Sequence, residues 1–248
     1  NELSKGRQIE LIRKIGDSNQ FKKINFAGGE PFLVPHLGEL VSEVAKMGME
    51  PSIITNGSIL SLDWFKEYGK WVKILGVSID SEHQDTLKNL GRGDGSFIEK
   101  LTDLIQEIKK INPQCRIKVN TVVTRLNFQE NLTSLIKAVN PFRWKILQVL
   151  GIEGKNDKEF QQLKISQEEF QIFLQRHHGL KPIMIPEDQE AMTDSYLMMD
   201  AQGRFFQNTQ GKYYYSRSLL KVSLQDALSQ IFFNTEKFIS RGGFYEAG

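Results

Sequence analysis

Lys118 and Asn120 stand two residues apart in 116–123, a run that alternates like a strand. Arg143 and Lys145 repeat that spacing at the start of the next apolar run, 144–150. Side chains two apart on a strand share a face, so three cations converge on one side of two successive strands. Buried cations without partners cost several kcal/mol each. An internal carboxylate, with Glu153 and Asp80 as candidates, or a bound polyphosphate would neutralise them.

In a parallel α/β sheet, ligands collect where the strands exit. The first strand, 23–26, exits into Ala27-Gly28-Gly29-Glu30-Pro31. Two glycines permit positive φ and close backbone approach to a ligand, and Glu30 can accept from an ammonium group. The same segment also reads as a plain turn, with Pro31 opening the next helix. The second strand ends in Thr55-Asn56-Gly57-Ser58, ordinary turn chemistry. The third carries Ser78 and Asp80, and Asp80 with Ser81 also suits a helix cap. Gly91-Arg92-Gly93-Asp94-Gly95 follows, where a guanidinium fork between glycines can grip a carboxylate or simply lie in a solvated loop. Tyr196 and Arg241-Gly242-Gly243 are expected to close over the same mouth.

The elements that must position these groups alternate. Helices are expected at 3–15, 36–46, 62–68, 97–111, 131–139 and 167–176, and strands at 23–26, 51–55, 72–79, 116–123 and 144–150. Ser166 and Glu169 fit a capping box. Alternation with short connections predicts an α/β fold with a parallel sheet and right-handed crossovers. After Lys181 the rhythm changes to a hairpin, 196–199 with 204–207, and a last helix over 222–233. Opening on a helix is unusual for such an array, so the sheet begins at Ile24 or an earlier strand precedes these residues.

The 248 residues are 40% hydrophobic and 25% charged, enough for one sizeable core. With 32 basic against 30 acidic residues, net charge argues for neither nucleic acid nor a membrane surface. No apolar run reaches the roughly 20 residues that span a bilayer. One cysteine, Cys115, fits a cytoplasmic location and allows no internal disulfide. His36, His83, His177 and His178 lack zinc-site spacing. No phosphate loop, nucleophile elbow or RNA-binding signature occurs.

In their order along the chain these segments resemble the radical S-adenosylmethionine (SAM) enzymes, and the viperin family among them. Lys23-Ile24-Asn25-Phe26-Ala27-Gly28-Gly29-Glu30-Pro31 is similar to the superfamily's glycine–glycine–glutamate–proline segment. Lys118-Val119-Asn120, Pro141-Phe142-Arg143-Trp144-Lys145, Asp194-Ser195-Tyr196-Leu197 and Arg241-Gly242-Gly243 narrow the resemblance to viperins. It implies a partial (β/α)6 barrel over 1–180, with a C-terminal extension over 181–248 packing on the barrel mouth. It implies a [4Fe–4S] cluster, SAM, an electron donor and a nucleoside triphosphate substrate, CTP or a related one. The implied reaction is dehydration to a 3′-deoxy-3′,4′-didehydro nucleotide, an antiviral chain terminator. Gly28, Gly29 and Glu30 would hold the SAM amino group, with Pro31 and Asn56 beside them, and Ser78 and Arg92 its carboxylate. Lys23, Lys118, Asn120, Arg143, Lys145 and Arg241 would line the triphosphate, with Tyr196 catalytic near the nucleotide.

The sequence departs from the family in lacking its Cys-x3-Cys-x2-Cys segment, because Cys115 stands alone in a later strand. The cluster cysteines and the first strand are expected upstream of Asn1. A chain without them would be left as a cluster-free nucleotide binder.

Overall fold

A computed structural model describes residues 3–92 and 96–245, without the side chains of residues 96, 97 and 99. Gly93, Asp94 and Gly95 of the expected arginine loop lie outside the described residues. Six strands form one parallel sheet in chain order: β1 (Lys23–Phe26), β2 (Glu50–Thr55), β3 (Ile74–Ser78), β4 (Arg116–Val123), β5 (Arg143–Gln148) and β6 (Met184–Glu187). The order never reverses. Right-handed crossovers then place the helices that connect these strands on one face, and the other face turns inward as in a partial barrel.

The two faces differ sharply. Ile53, Leu75, Val77, Val119, Trp144 and Ile146 lie on the helix side and are fully buried. They pack in one cluster with Phe65, Leu101, Ile105, Ile108, Ile136, Phe170 and Phe173 from the surrounding helices. Trp144 also donates its indole N–H to Thr121 Oγ1 at 2.8 Å, so its burial leaves no donor unmet.

Three antiparallel strands follow: β7 (Met198–Met199), β8 (Arg204–Thr209) and β9 (Lys212–Ser218). The expected hairpin is present between β7 and β8. Its turn needs glycine at 203, where φ is +73° and a Cβ would come within 2.9 Å of Leu11 Cδ1. Leu11 belongs to the first helix, Lys5–Asp17. That helix joins a second core, in which Leu11, Ile12 and Ile15 pack with Leu40, Val44, Phe205, Leu219, Ala227 and Ile231.

Several boundaries differ from expectation. The parallel sheet runs past residue 180, because β6 pairs with β5 from Trp144↔Met184 to Leu147↔Glu187. The expected helix over 222–233 is shortened to Leu224–Leu228, opened by its cap Ser223, and a further short helix, Thr235–Ser240, follows beyond it with Asn234 as its cap. The strand Lys212–Ser218 and the helices Gln84–Asn89 and Asp157–Leu163 were not expected. The helix Gln167–Arg176 has the Ser166–Glu169 capping box that the sequence signals. No helix among the described residues is long and apolar enough to cross a membrane.

Candidate active site

Parallel pairing carries the polar residues side by side across the inner face. Gly76, Lys118 and Arg143 form one rung, and Ser78, Asn120 and Lys145 the next. The strand spacing predicted this for each strand, and the register now joins the strands.

At the strand exits, Gly28 and Gly29 have φ of +87° and +55°. A Cβ at either would meet nothing within 4 Å, so the glycines serve the backbone conformation and open space lies beside them. Glu30 is nearly buried. Its Oε1 accepts from Thr55 Oγ1 at 2.8 Å and from Phe32 N at 3.2 Å, and its Oε2 accepts from Asn56 N at 2.8 Å. Glu30 thus ties the exit of β1 to that of β2 and keeps acceptor capacity, since a carboxylate offers about four lone-pair sites. Pro31 opens a 3₁₀ turn, as the turn reading had it. Asn56 Oδ1 accepts from Ser58 N at 2.8 Å, the local turn bond. Ser78 is half-buried, and its hydroxyl has no partner among the described residues.

Asp80 does not cap a helix. Its Oδ2 accepts from Arg92 Nε at 2.6 Å and its Oδ1 from Val122 N at 2.7 Å. Arg92 therefore grips the protein's own carboxylate. Nor does Asp80 or Glu153 neutralise the inner cations, because Glu153 is exposed and pairs with Lys212 at 3.0 Å.

The neutralising group is Glu187, the last residue of β6. It is fully buried and ion-pairs with Lys145 Nζ at 2.7 Å and Arg241 Nη1 at 2.9 Å. Tyr196 donates its hydroxyl to Glu187 and accepts from Lys145. The Arg241 guanidinium lies 3.8 Å over the Tyr196 ring and donates to Ser195 O at 2.6 Å. Sequence reasoning missed Glu187 because its strand was unread.

Lys23 and Arg143 lie 3.4 and 4.2 Å over the ring of Tyr245, and Arg143 also donates to Gly242 O. Gly242 and Tyr245 therefore meet the first residues of β1 and β5, while Arg241 reaches Glu187 at the exit of β6.

Five cations, Lys23, Lys118, Arg143, Lys145 and Arg241, thus gather around one buried carboxylate. Lys118 is 4% exposed and has no hydrogen bond or ion pair among the described residues. Burial, and then Lys145, Lys23 and Arg143, push its amine down to about 7. Burial likewise lowers Lys145 to about 8 against the pull of Glu187, and Lys23 to about 8 against that of Glu50. Burial holds the Tyr196 phenol well above its ordinary value, so it stays protonated as a donor. Asn120 Oδ1 and Arg241 Nε are buried and lack partners, an arrangement that buried polar atoms rarely tolerate.

The radical SAM superfamily model matches residues 1–132. The chain belongs to the radical SAM superfamily. Within it, the chain is 38% identical over 247 residues to the S-adenosylmethionine-dependent nucleotide dehydratase of Flammeovirga pacifica, covering 98% of this chain and 84% of that one. The Danio rerio protein of the same description is 35% identical over 254 residues, covering 96% and 68%. The chain therefore belongs to the viperin-like dehydratase family that the motifs suggested. A solved radical SAM structure, anSMEcpe with bound AdoMet, superposes with a TM-score of 0.66 over 95% of this chain and 75% of that one, at 14% identity, a likeness of fold.

Radical SAM proteins use SAM and a [4Fe–4S] cluster. The strand exits fit SAM, with positive-φ glycines beside open space, spare acceptor capacity on Glu30 and the unpartnered hydroxyl of Ser78. The residues of this chain do not fit the cluster, which is held by cysteine thiolates. Cys115 is the chain's one cysteine. It is buried, with its thiol pushed up to about 12 by that burial. No group of three or more metal-ligating side chains occurs among the described residues.

Proposed function

We propose that this chain binds a nucleoside triphosphate, CTP or a related one, with its phosphates among Lys23, Lys118, Asn120, Arg143, Lys145 and Arg241. The observation that carries this reading is Lys118, a buried lysine without an anionic partner beside four other cations. A buried charge of that kind is stable only when something neutralises it, and a triphosphate brings about four negative charges. The names of the relatives, which specify nucleotide dehydratases, support the same substrate class.

In this reading SAM lies at the strand exits, with its amino group on Gly28, Gly29 and Glu30, Pro31 and Asn56 alongside, and its carboxylate near Ser78 and Arg92. Where a reduced [4Fe–4S] cluster gives it an electron, bound SAM would supply a 5′-deoxyadenosyl radical able to take hydrogen from C4′ of the ribose. The chain's own residues do the placing. The cations anchor the phosphates on the inner face and so direct the ribose toward the strand exits. The closed inner face keeps water from a reactive centre. Tyr196, protonated and held by Lys145 and Glu187, stands beside the phosphate cations, and it can donate to the nucleotide only by releasing Glu187, to which its one O–H is given. Release of the 3′-hydroxyl as water, with one proton and one electron taken up from an external donor, would then give the 3′-deoxy-3′,4′-didehydro nucleotide.

Calorimetric titration with CTP, UTP, GTP and ATP, and separately with SAM, tests the reading. Lys145→Ala should weaken nucleotide binding at least tenfold, about 1.4 kcal/mol, and leave SAM binding nearly unchanged. Equal loss of both ligands would refute the division of the site.

A further inference from the structure

Among the described residues Glu187 is the only carboxylate within ion-pair distance of any of the five cations, and it pairs with two of them, Lys145 and Arg241. Nothing in the phosphate reading assigns it a role, and an anion in a site for anions weakens the attraction. Its surroundings are specific. Lys145 reaches it from β5, Arg241 from the end of the helix Thr235–Ser240, and Tyr196 from the segment before β7. Lys118 on β4, Lys23 on β1, and Arg143 with Tyr245 form the next layer of charged and titratable groups. Without Glu187, Lys145 and Arg241 would lose their shared acceptor, and the guanidinium that ties residue 241 to the sheet would be held only by Ser195 O.

We propose that Glu187 is the positioning residue of the cationic chamber, a resident counter-anion that fixes Lys145, Arg241 and Tyr196 and with which an incoming polyphosphate must share those cations. The proposal rests on the phosphate reading above. Its consequence is a trade between arrangement and affinity. The carboxylate keeps Lys145 protonated and in place while the chamber is empty, at the expense of some attraction for the ligand.

Glu187→Gln separates the two effects, because glutamine keeps the shape and one acceptor oxygen but removes the charge. At pH 6, where the lysines are protonated, inorganic tripolyphosphate should bind about tenfold or more tightly to the variant, since one nearby repulsive charge has gone. The gain should shrink at pH 8.5. Glu187 holds the Lys145 pKa up, so without it the empty chamber releases that proton and binding must take it back. Calorimetry of tripolyphosphate in two buffers of different ionisation enthalpy reads both the affinity and the proton uptake. SAM binding to the variant, expected to be unchanged, checks the fold. For wild-type protein, infrared difference spectra on adding tripolyphosphate should show a shifted carboxylate band as Glu187 shares its cations, a readout that stands even where the variant does not fold. If wild type binds tripolyphosphate but the variant binds no tighter at pH 6 with unchanged proton uptake, the role of Glu187 is refuted and the phosphate reading stands. An unchanged carboxylate band on saturation also refutes it. If wild type fails to bind tripolyphosphate at all, both fall together.

Discussion

Lys118→Met should make the ligand-free protein more stable while disabling its phosphate site. The lysine is 4% exposed, and its pKa falls from 10.5 to about 7 in the folded chain. The difference of about 3.5 corresponds to about 5 kcal/mol, at about 1.4 kcal/mol per pKa unit. Because the folded pKa lies below the unfolded one, the folded state binds this proton more weakly. The penalty is absent above pH 10.5, grows as the pH falls toward 7 and is constant below that. Repulsion from Lys145, Lys23 and Arg143 contributes to the shift, and these groups can relax, so about 2–4 kcal/mol is the expected gain below pH 7. At about 2–4 °C per kcal/mol for a chain of this size, melting should rise by roughly 5–15 °C at pH 6.5 in a phosphate-free buffer. The advantage should fade as the pH approaches 10. Adding tripolyphosphate should stabilise wild type through binding linkage and the variant far less. A variant that melts at or below wild type at pH 6.5 without ligand would refute the claim that Lys118 is a stored electrostatic cost.

Gly76→Ala tests whether the inner face is shaped as well as charged: the new Cβ would stand 3.3 Å from Lys118 Cε and 3.5 Å from Asn120 Nδ2, so nucleotide affinity should drop about tenfold, with a change in melting of a few degrees at most. Calorimetry and a thermal melt on one preparation check it. Gly28→Ala meets no atom within 4 Å but must adopt φ +87°, so about 1 kcal/mol of strain should appear with weakened SAM binding and unchanged tripolyphosphate binding, measured by titration.

The parallel sheet was legible because its strands are apolar on their helix-facing side and bounded by glycine or turn residues, as Thr55-Asn56-Gly57 bounds β2. Lys118, Asn120, Arg143 and Lys145 were legible for the same reason, since strand periodicity alone puts them on one face. What failed was β6. Lys181-Pro182-Ile183-Met184-Ile185-Pro186-Glu187 carries two prolines, which argue against an interior strand. The strand nevertheless sits at the sheet's edge, where a missing N–H is tolerated, and Glu187 went unseen with it. The helix expected over 222–233 overshot because Ile231, Phe232 and Phe233 continue the apolar pattern past the helix's end at Leu228, where Ser229 is the C-cap. β9 was hidden because Tyr213-Tyr214-Tyr215 shows no apolar–polar alternation, although Phe206 stacks on Tyr215 across the ladder. Arg92 illustrates a further limit, because its partner Asp80 lies 12 residues earlier and nothing in the spacing reveals the pairing.

The second core joins segments nearly two hundred residues apart. Leu11, Ile12 and Ile15 on the helix Lys5–Asp17 find Phe205, Leu219, Ala227 and Ile231 only after about 190 further residues have been made. At about 5–20 residues per second, the ribosome takes roughly 10–40 s to supply those partners. Throughout that interval the helix Lys5–Asp17 carries an apolar stripe with nothing from the C-terminal part to cover it, while the strands between can already pair with their neighbours. Nascent chains stalled before residue 205 should therefore expose this stripe to holding chaperones, and release of those chaperones should follow translation of the last third of the chain.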